Sequence, residues 1–226
     1  MGIPTVQLNS CEEPIELYRT NSNTTYHEAM PALVDLSYAD IAGELRALAA
    51  SYPRLASLWT TQQRYGLPSS GDCGRERCKV FVLEVTHLQS HAYHPERPDV
   101  LISGALHGDE RVGPLATLEL ARWLLGNYAT NEWARRLIHT RRLLLVPMAN
   151  AVGYARRSRY ELDHDPNRDF PFQQAPSRCM TTIAARSINE LFRHHLVQLA
   201  SARFLASHHP APPHAPTIPA LAPLTV

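Results

Sequence analysis

His107-Gly108-Asp109-Glu110 is the sharpest chemical signal in the sequence. It follows an almost continuously apolar stretch, Pro98–Ala105, and precedes an apolar helical pattern. A histidine and a glutamate three residues apart in a tight turn can converge on one ion. A catalytic zinc takes such imidazole nitrogen and carboxylate oxygen donors, three from the protein, and leaves a position open for water. Loops leaving the carboxyl ends of strands are where α/β sheets build their sites. The spacing alone is a common one and decides little. Further on, Asp165-Pro166-Asn167-Arg168-Asp169-Phe170 lies in a polar loop. Its Asn-Arg pair offers an amide and a forked guanidinium, a natural receptor for a carboxylate. Taken alone, that dipeptide would be read as a loop arginine in a surface ion pair.

The elements that must position these residues follow from periodicity and punctuation. Ser37 can cap a helix over 38–51, with Ile41, Leu45 and Leu48 on one face and Pro53 just past its end. Leu55–Tyr65 and Lys79–Leu88 read as strands around a Gly/Pro/Ser loop, and Pro98–Ala105 as a buried strand. Helices are expected over Leu115–Leu125 and Asn131–His139, then a strand over Arg142–Met148. A long loop reaches Phe172, a helix covers Ser177–His195, and a last strand is expected over Leu196–Ala206. Strands alternating with helices predict an α/β domain with a mixed, mostly parallel central sheet and helices on both faces. Residues 1–32 read as an irregular extension, 33–206 as the domain, and 207–226 as a disordered tail. Six of the nineteen residues 208–226 are proline, which suits neither helix nor strand.

The stretches LISGALHGDERVGP, PMANAVGY and DHDPNRDFPF, in that order, resemble the motifs of the zinc metallocarboxypeptidases (carboxypeptidase A-like). The resemblance covers roughly residues 38–200. It implies zinc bound by His107 and Glu110, and a substrate's C-terminal carboxylate held by Asn167 and Arg168. Asp165 would orient the first histidine ligand. An upstream arginine would stabilise the oxyanion, Arg159 fitting best and Arg157 next. The third zinc ligand falls on His208, with His209 as second choice. The implied activity is metal-assisted hydrolysis of the last peptide bond of peptides or proteins.

The family's catalytic glutamate and substrate-capping tyrosine have no counterpart in these 226 residues. A truncated or aberrant C-terminus, and little or no peptidase activity, are therefore expected. Two rival readings share these motifs: an aspartoacylase-like zinc amidohydrolase, and a non-catalytic module that binds peptide C-termini.

The remaining composition excludes more than it proposes. A net charge of +1 gives no electrostatic footing for nucleic acid or an anionic membrane. No apolar run approaches the ~20 residues that span a bilayer, no signal peptide is visible, and a monomer is expected. Cys73 and Cys78 flank a polar loop, and either a local bridge or two free thiols fits them. His87, His91 and His94 read as a solvated loop, and His194-His195 as the end of a helix, where histidine suits the dipole. Arg141-Arg142 reads as solvated, and the three tryptophans as core or half-buried.

Overall fold

Ser37 opens the first helix with a reciprocal pair of hydrogen bonds. Its hydroxyl accepts the Asp40 N–H at 3.2 Å, and the Asp40 carboxylate accepts the Ser37 N–H at 2.9 Å. The helix, α1 (Tyr38–Ser51), buries Tyr38, Ile41, Ala42 and Leu45. The structure, a computed structural model, describes residues 35–93, 97–171 and 179–206, with only the backbone of 91–93 and 196–206. The elements below all lie in the unit Leu36–Val226.

After α1 the stretch expected as one strand divides. β1 (Ala56–Thr60) ends where the Thr60 hydroxyl accepts the Gln63 N–H at 3.2 Å, and this cap starts a single helical turn, α2 (Thr61–Tyr65). Gly66, at φ 65°, stops it in the left-handed region that glycine adopts without strain. A small hairpin follows, β2 (Asp72–Cys73) with β3 (Glu76–Arg77), and a Cys73–Cys78 disulfide ties its base. β4 (Phe81–Val85) is buried throughout. The histidine-rich segment after it is not wholly loop: His87 Nδ1 accepts the Ser90 N–H at 3.3 Å, and α3 (Leu88–Tyr93) forms. The side chain of His91 and all of His94 lie outside the described residues.

The chain continues through β5 (Asp99–Ser103), α4 (Val112–Gly126), α5 (Glu132–Thr140), β6 (Arg142–Val146) and α6 (Ala151–Arg156). One 3-10 turn (Pro166–Arg168) precedes the last element, α7 (Ile183–Ala206). The strand expected over Leu196–Ala206 is therefore a correction: this stretch extends the preceding helix. It contains no glycine or proline, and Leu, Gln, Ala and Arg are all good helix formers, so nothing stops the helix at His195.

The main sheet has the order β1-β4-β6-β5. β5 pairs parallel with β6, while β4 pairs antiparallel with both β1 and β6. The sheet is mixed, as expected, but only one of its three pairings is parallel. Strand alternation gives it two faces. One face carries Phe81, Leu83, Val85, Leu143 and Leu145, and α1 meets it through Tyr38, whose ring lies 6.3 Å from that of Phe81. The other face carries Glu84, Asp99 and Arg142, and α7 lies on that side. There His195 Nδ1 meets Asp99 Oδ2 at 2.6 Å, and the Ser187 and Thr61 hydroxyls meet at 2.8 Å.

Two surface expectations change with this packing. Arg142 is not solvated: its guanidinium grips both oxygens of Asp99, and its side chain is 14% exposed. Trp133 is 62% exposed, with the Arg136 guanidinium 5.8 Å from the centre of its ring.

Candidate functional site

The turn after β5 is built by close backbone approach. Gly104 extends the β5–β6 ladder, its N–H donating to the Val146 carbonyl at 2.9 Å. Ala105 then turns the chain at φ 48°. Gly108 lies hard against the middle of α6 and the segment beyond it. A Cβ there would sit 2.1 Å from the Gly153 carbonyl carbon, 2.4 Å from the Tyr154 nitrogen and 2.5 Å from the Ser158 oxygen. Only a hydrogen fits. The fit fixes the HGDE turn relative to the loop that follows α6.

His107 is almost fully buried, and each of its ring nitrogens faces a carboxylate. Nδ1 lies 2.9 Å from Glu110 Oε1, and Nε2 lies 3.0 Å from Asp165 Oδ1. Glu110 is exposed and Asp165 is mostly covered. Asp165 Oδ1 also accepts the Asn167 N–H at 2.9 Å, and Asp165 Oδ2 takes the Arg159 guanidinium at 3.4 Å. Partial burial alone would raise the Asp165 pKa. The Asn167 N–H and the adjoining His107 ring outweigh it and hold the carboxyl below its usual range.

The structure thus brings His107, Glu110, Asp165 and Arg159 into direct contact. Asn167 and Arg168 follow in the 3-10 turn, both exposed, with the Arg168 guanidinium donating to the Asn167 carbonyl at 3.2 Å. Arg157, the second choice for the oxyanion role, instead closes α6 at φ 55°, and Arg159 is the arginine on Asp165. His208 and His209 lie outside the described residues. Among those residues no group of three or more His, Cys, Asp or Glu side chains forms a metal cage.

Three supporting residues escaped the sequence reading. Asn150 is fully buried, caps α6 by accepting the Gly153 N–H at 2.9 Å, and donates to the Arg159 carbonyl at 3.4 Å. Its position inside PMANAVGY was the available signal. Arg111 lays its guanidinium 3.4 Å over the Tyr154 ring and donates to the Tyr154 carbonyl at 2.9 Å. Glu161 is buried with both oxygens bonded. Nothing local in the sequence marks either of these.

The zinc carboxypeptidase family profile matches residues 74–191. The chain belongs to the zinc carboxypeptidase family. Carboxypeptidase D of Anas platyrhynchos is 29% identical over 116 residues, 51% of this chain and 8% of the relative. Human carboxypeptidase Z is 29% identical over 150 residues, 64% of this chain and 22% of the relative. The chain thus spans a small part of the curated relatives it matches. Among solved structures, carboxypeptidase A from Helicoverpa armigera superposes with a TM-score of 0.54 at 18% identity, covering 71% of this chain and 42% of that one. A metallo-carboxypeptidase from Burkholderia cenocepacia does so at 0.55 and 16%, covering 70% and 38%. At such identities the likeness shows the carboxypeptidase fold.

Proposed function

We propose that this zinc carboxypeptidase-family chain carries the zinc and carboxylate-binding half of an exopeptidase site acting on peptide or protein C-termini. The observation that carries it is His107 between two carboxylates. A neutral imidazole has one N–H and cannot donate to both. With that N–H on Nε2, donated to Asp165, the Nδ1 lone pair and the Glu110 carboxylate would be the two groups available to hold a divalent cation. Imidazole nitrogen and carboxylate oxygen suit zinc, and a carboxylate behind a ligating histidine fixes its tautomer. His208 is proposed as third ligand on the family resemblance alone, with His209 as alternative.

Zinc, when bound, supplies Lewis acidity toward the scissile carbonyl and toward water. The chain's own residues do the rest of the binding. Arg168, exposed beside Asn167, would meet a terminal carboxylate with the N–H groups not given to the Asn167 carbonyl. Arg159 is held by Asp165 and presents its remaining N–H groups to developing negative charge on the carbonyl oxygen. No glutamate among the described residues is assigned to take a proton from water. A module that binds peptide C-termini without cleaving them is the second reading, and turnover is what separates the two.

Equilibrium dialysis with zinc, calorimetry with a blocked dipeptide acid and its C-terminal amide, and a hydrolysis assay together test this. The expected outcome is zinc binding that His107→Ala abolishes, and acid bound in preference to amide through Arg168. Turnover separates exopeptidase from binding module. Zinc binding indifferent to His107, or equal affinity for acid and amide, overturns the reading.

A further inference from the structure

The loop that carries Arg159, Asp165, Asn167 and Arg168 has little regular structure of its own. It contains a two-way backbone bridge between Glu161 and His164, at 2.9 and 3.1 Å, and one 3-10 turn. Leu162 at its tip is exposed and strained at φ 55°. Such a segment needs an external hold if its arginines are to keep one geometry.

That hold is the start of α7. A helix leaves its first N–H groups without internal partners, and here two carboxylates from the loop take four consecutive N–H groups across its start, two just before Ile183 and two from it onward. Asp169 accepts the Thr181 N–H at 3.0 Å and the Thr182 N–H at 2.6 Å. Glu161 accepts the Ile183 N–H at 2.7 Å and the Ala184 N–H at 2.8 Å. The Thr182 hydroxyl donates to Asp169 at 2.7 Å and accepts the Ala185 N–H at 3.1 Å. Both acids are 4% exposed. An ordinary cap needs one short polar side chain, and Thr182 already serves as one. Burying two carboxylates is costly unless every oxygen is bonded, and here every oxygen is. They also bracket the site: Glu161 is two residues past Arg159, and Asp169 directly follows Arg168.

We propose that Glu161 and Asp169 are positioning residues that bolt both ends of the arginine loop to the α7 N-terminus and so set the reach of Arg159 and Arg168 toward a substrate carboxylate. This rests on the carboxylate-binding reading of Arg168. Burial pushes the Glu161 carboxyl up in pKa, and the Ala184 and Ile183 N–H groups work against that push.

The test uses the full chain and its Glu161→Ala, Glu161→Gln and Asp169→Asn variants. Three quantities are read: affinity for a blocked dipeptide acid against its amide, zinc affinity, and amide hydrogen exchange at 167–169. Glu161→Ala is expected to lose acid affinity by about tenfold, the scale of a lost charge-assisted hydrogen bond. Exchange at 167–169 should quicken by a similar factor, and zinc affinity should stay within a factor of about two. Glu161→Gln keeps one acceptor oxygen and should fall between. A Glu161→Ala protein with wild-type acid preference and wild-type exchange overturns the proposal. If the wild type itself shows no acid preference, the Arg168 reading fails. Exchange then decides alone: lost protection at 167–169 supports the bolting, and unchanged protection overturns it. Should Glu161→Ala not fold, Glu161→Gln and Asp169→Asn give the same readings.

Discussion

Gly108 permits the contact between the HGDE turn and the segment beyond α6, so the site depends on a missing side chain as much as on those present. A methyl group there would meet backbone atoms of Gly153, Tyr154 and Ser158, none of which can swing away. Gly108→Ala is expected to destabilise the protein by about 3 kcal/mol, as overpacking against main chain does, and to lose zinc binding. Gly126→Ala, whose Cβ meets nothing within 4 Å, should change stability by less than about 1 kcal/mol. Urea titrations of the two variants check the contrast, and equal effects would contradict it. At this scale the sequence was informative where partners are near in the chain. His107 and Glu110 share a turn, and Asp165, Asn167 and Arg168 share a loop. Glu161 was opaque because its partners lie 22 and 23 positions away, on an element whose first residue no local pattern marks.

Among elements, α7 departs furthest from expectation. Placing its end at His195 made that histidine a terminal residue suited to the dipole, whereas the helix runs on and His195 instead bonds Asp99 on β5. Burial alone would raise the Asp99 pKa, but the hydrogen bonds from His195 and Arg142 outweigh it and hold the carboxyl below its usual range. The sign follows from linkage. A lowered folded-state pKa gives stability that is complete above the ordinary carboxyl value near ~4 and is lost as the pH falls through the folded value. Asp99→Asn is expected to cost about 2 kcal/mol near neutrality, and to lose less stability than the wild type between pH 5 and pH 3. Urea unfolding at several pH values measures both. Parallel pH profiles for variant and wild type would assign acid sensitivity elsewhere. The strand-to-turn change at Thr60 has a similar lesson: a β-branched residue reads as strand by propensity, yet its hydroxyl captured the Gln63 N–H and won locally.

For the molecule as a whole, alternation of strands and helices made the α/β class legible but not the strand directions. β1 and β4 are joined through α2 and the small hairpin rather than through a crossover helix, so they run antiparallel. The β4–β6 pairing spans too much intervening chain for any local pattern to specify it. The Cys73–Cys78 bridge closes a loop of sequence separation 5 at the base of the small hairpin. Its reduction should lower stability by about 2 kcal/mol on the chain-entropy scale for so short a loop. Denaturation with and without reductant, followed by thiol counting, tests this, and an unchanged midpoint after full reduction would refute it.

α7 is tied twice, at Ile183–Ala184 to Glu161 and at His195 to Asp99. Helical geometry makes the intervening dozen residues a ruler of about 18 Å whose two marks point in directions set by residue count alone. Substituting an outward residue such as Arg193 leaves the ruler intact. Inserting one alanine after Glu190 lengthens it by about 1.5 Å and swings the far mark by about 100°, so only one of the two moorings can stay engaged. Length, more than composition, is what this segment has to conserve.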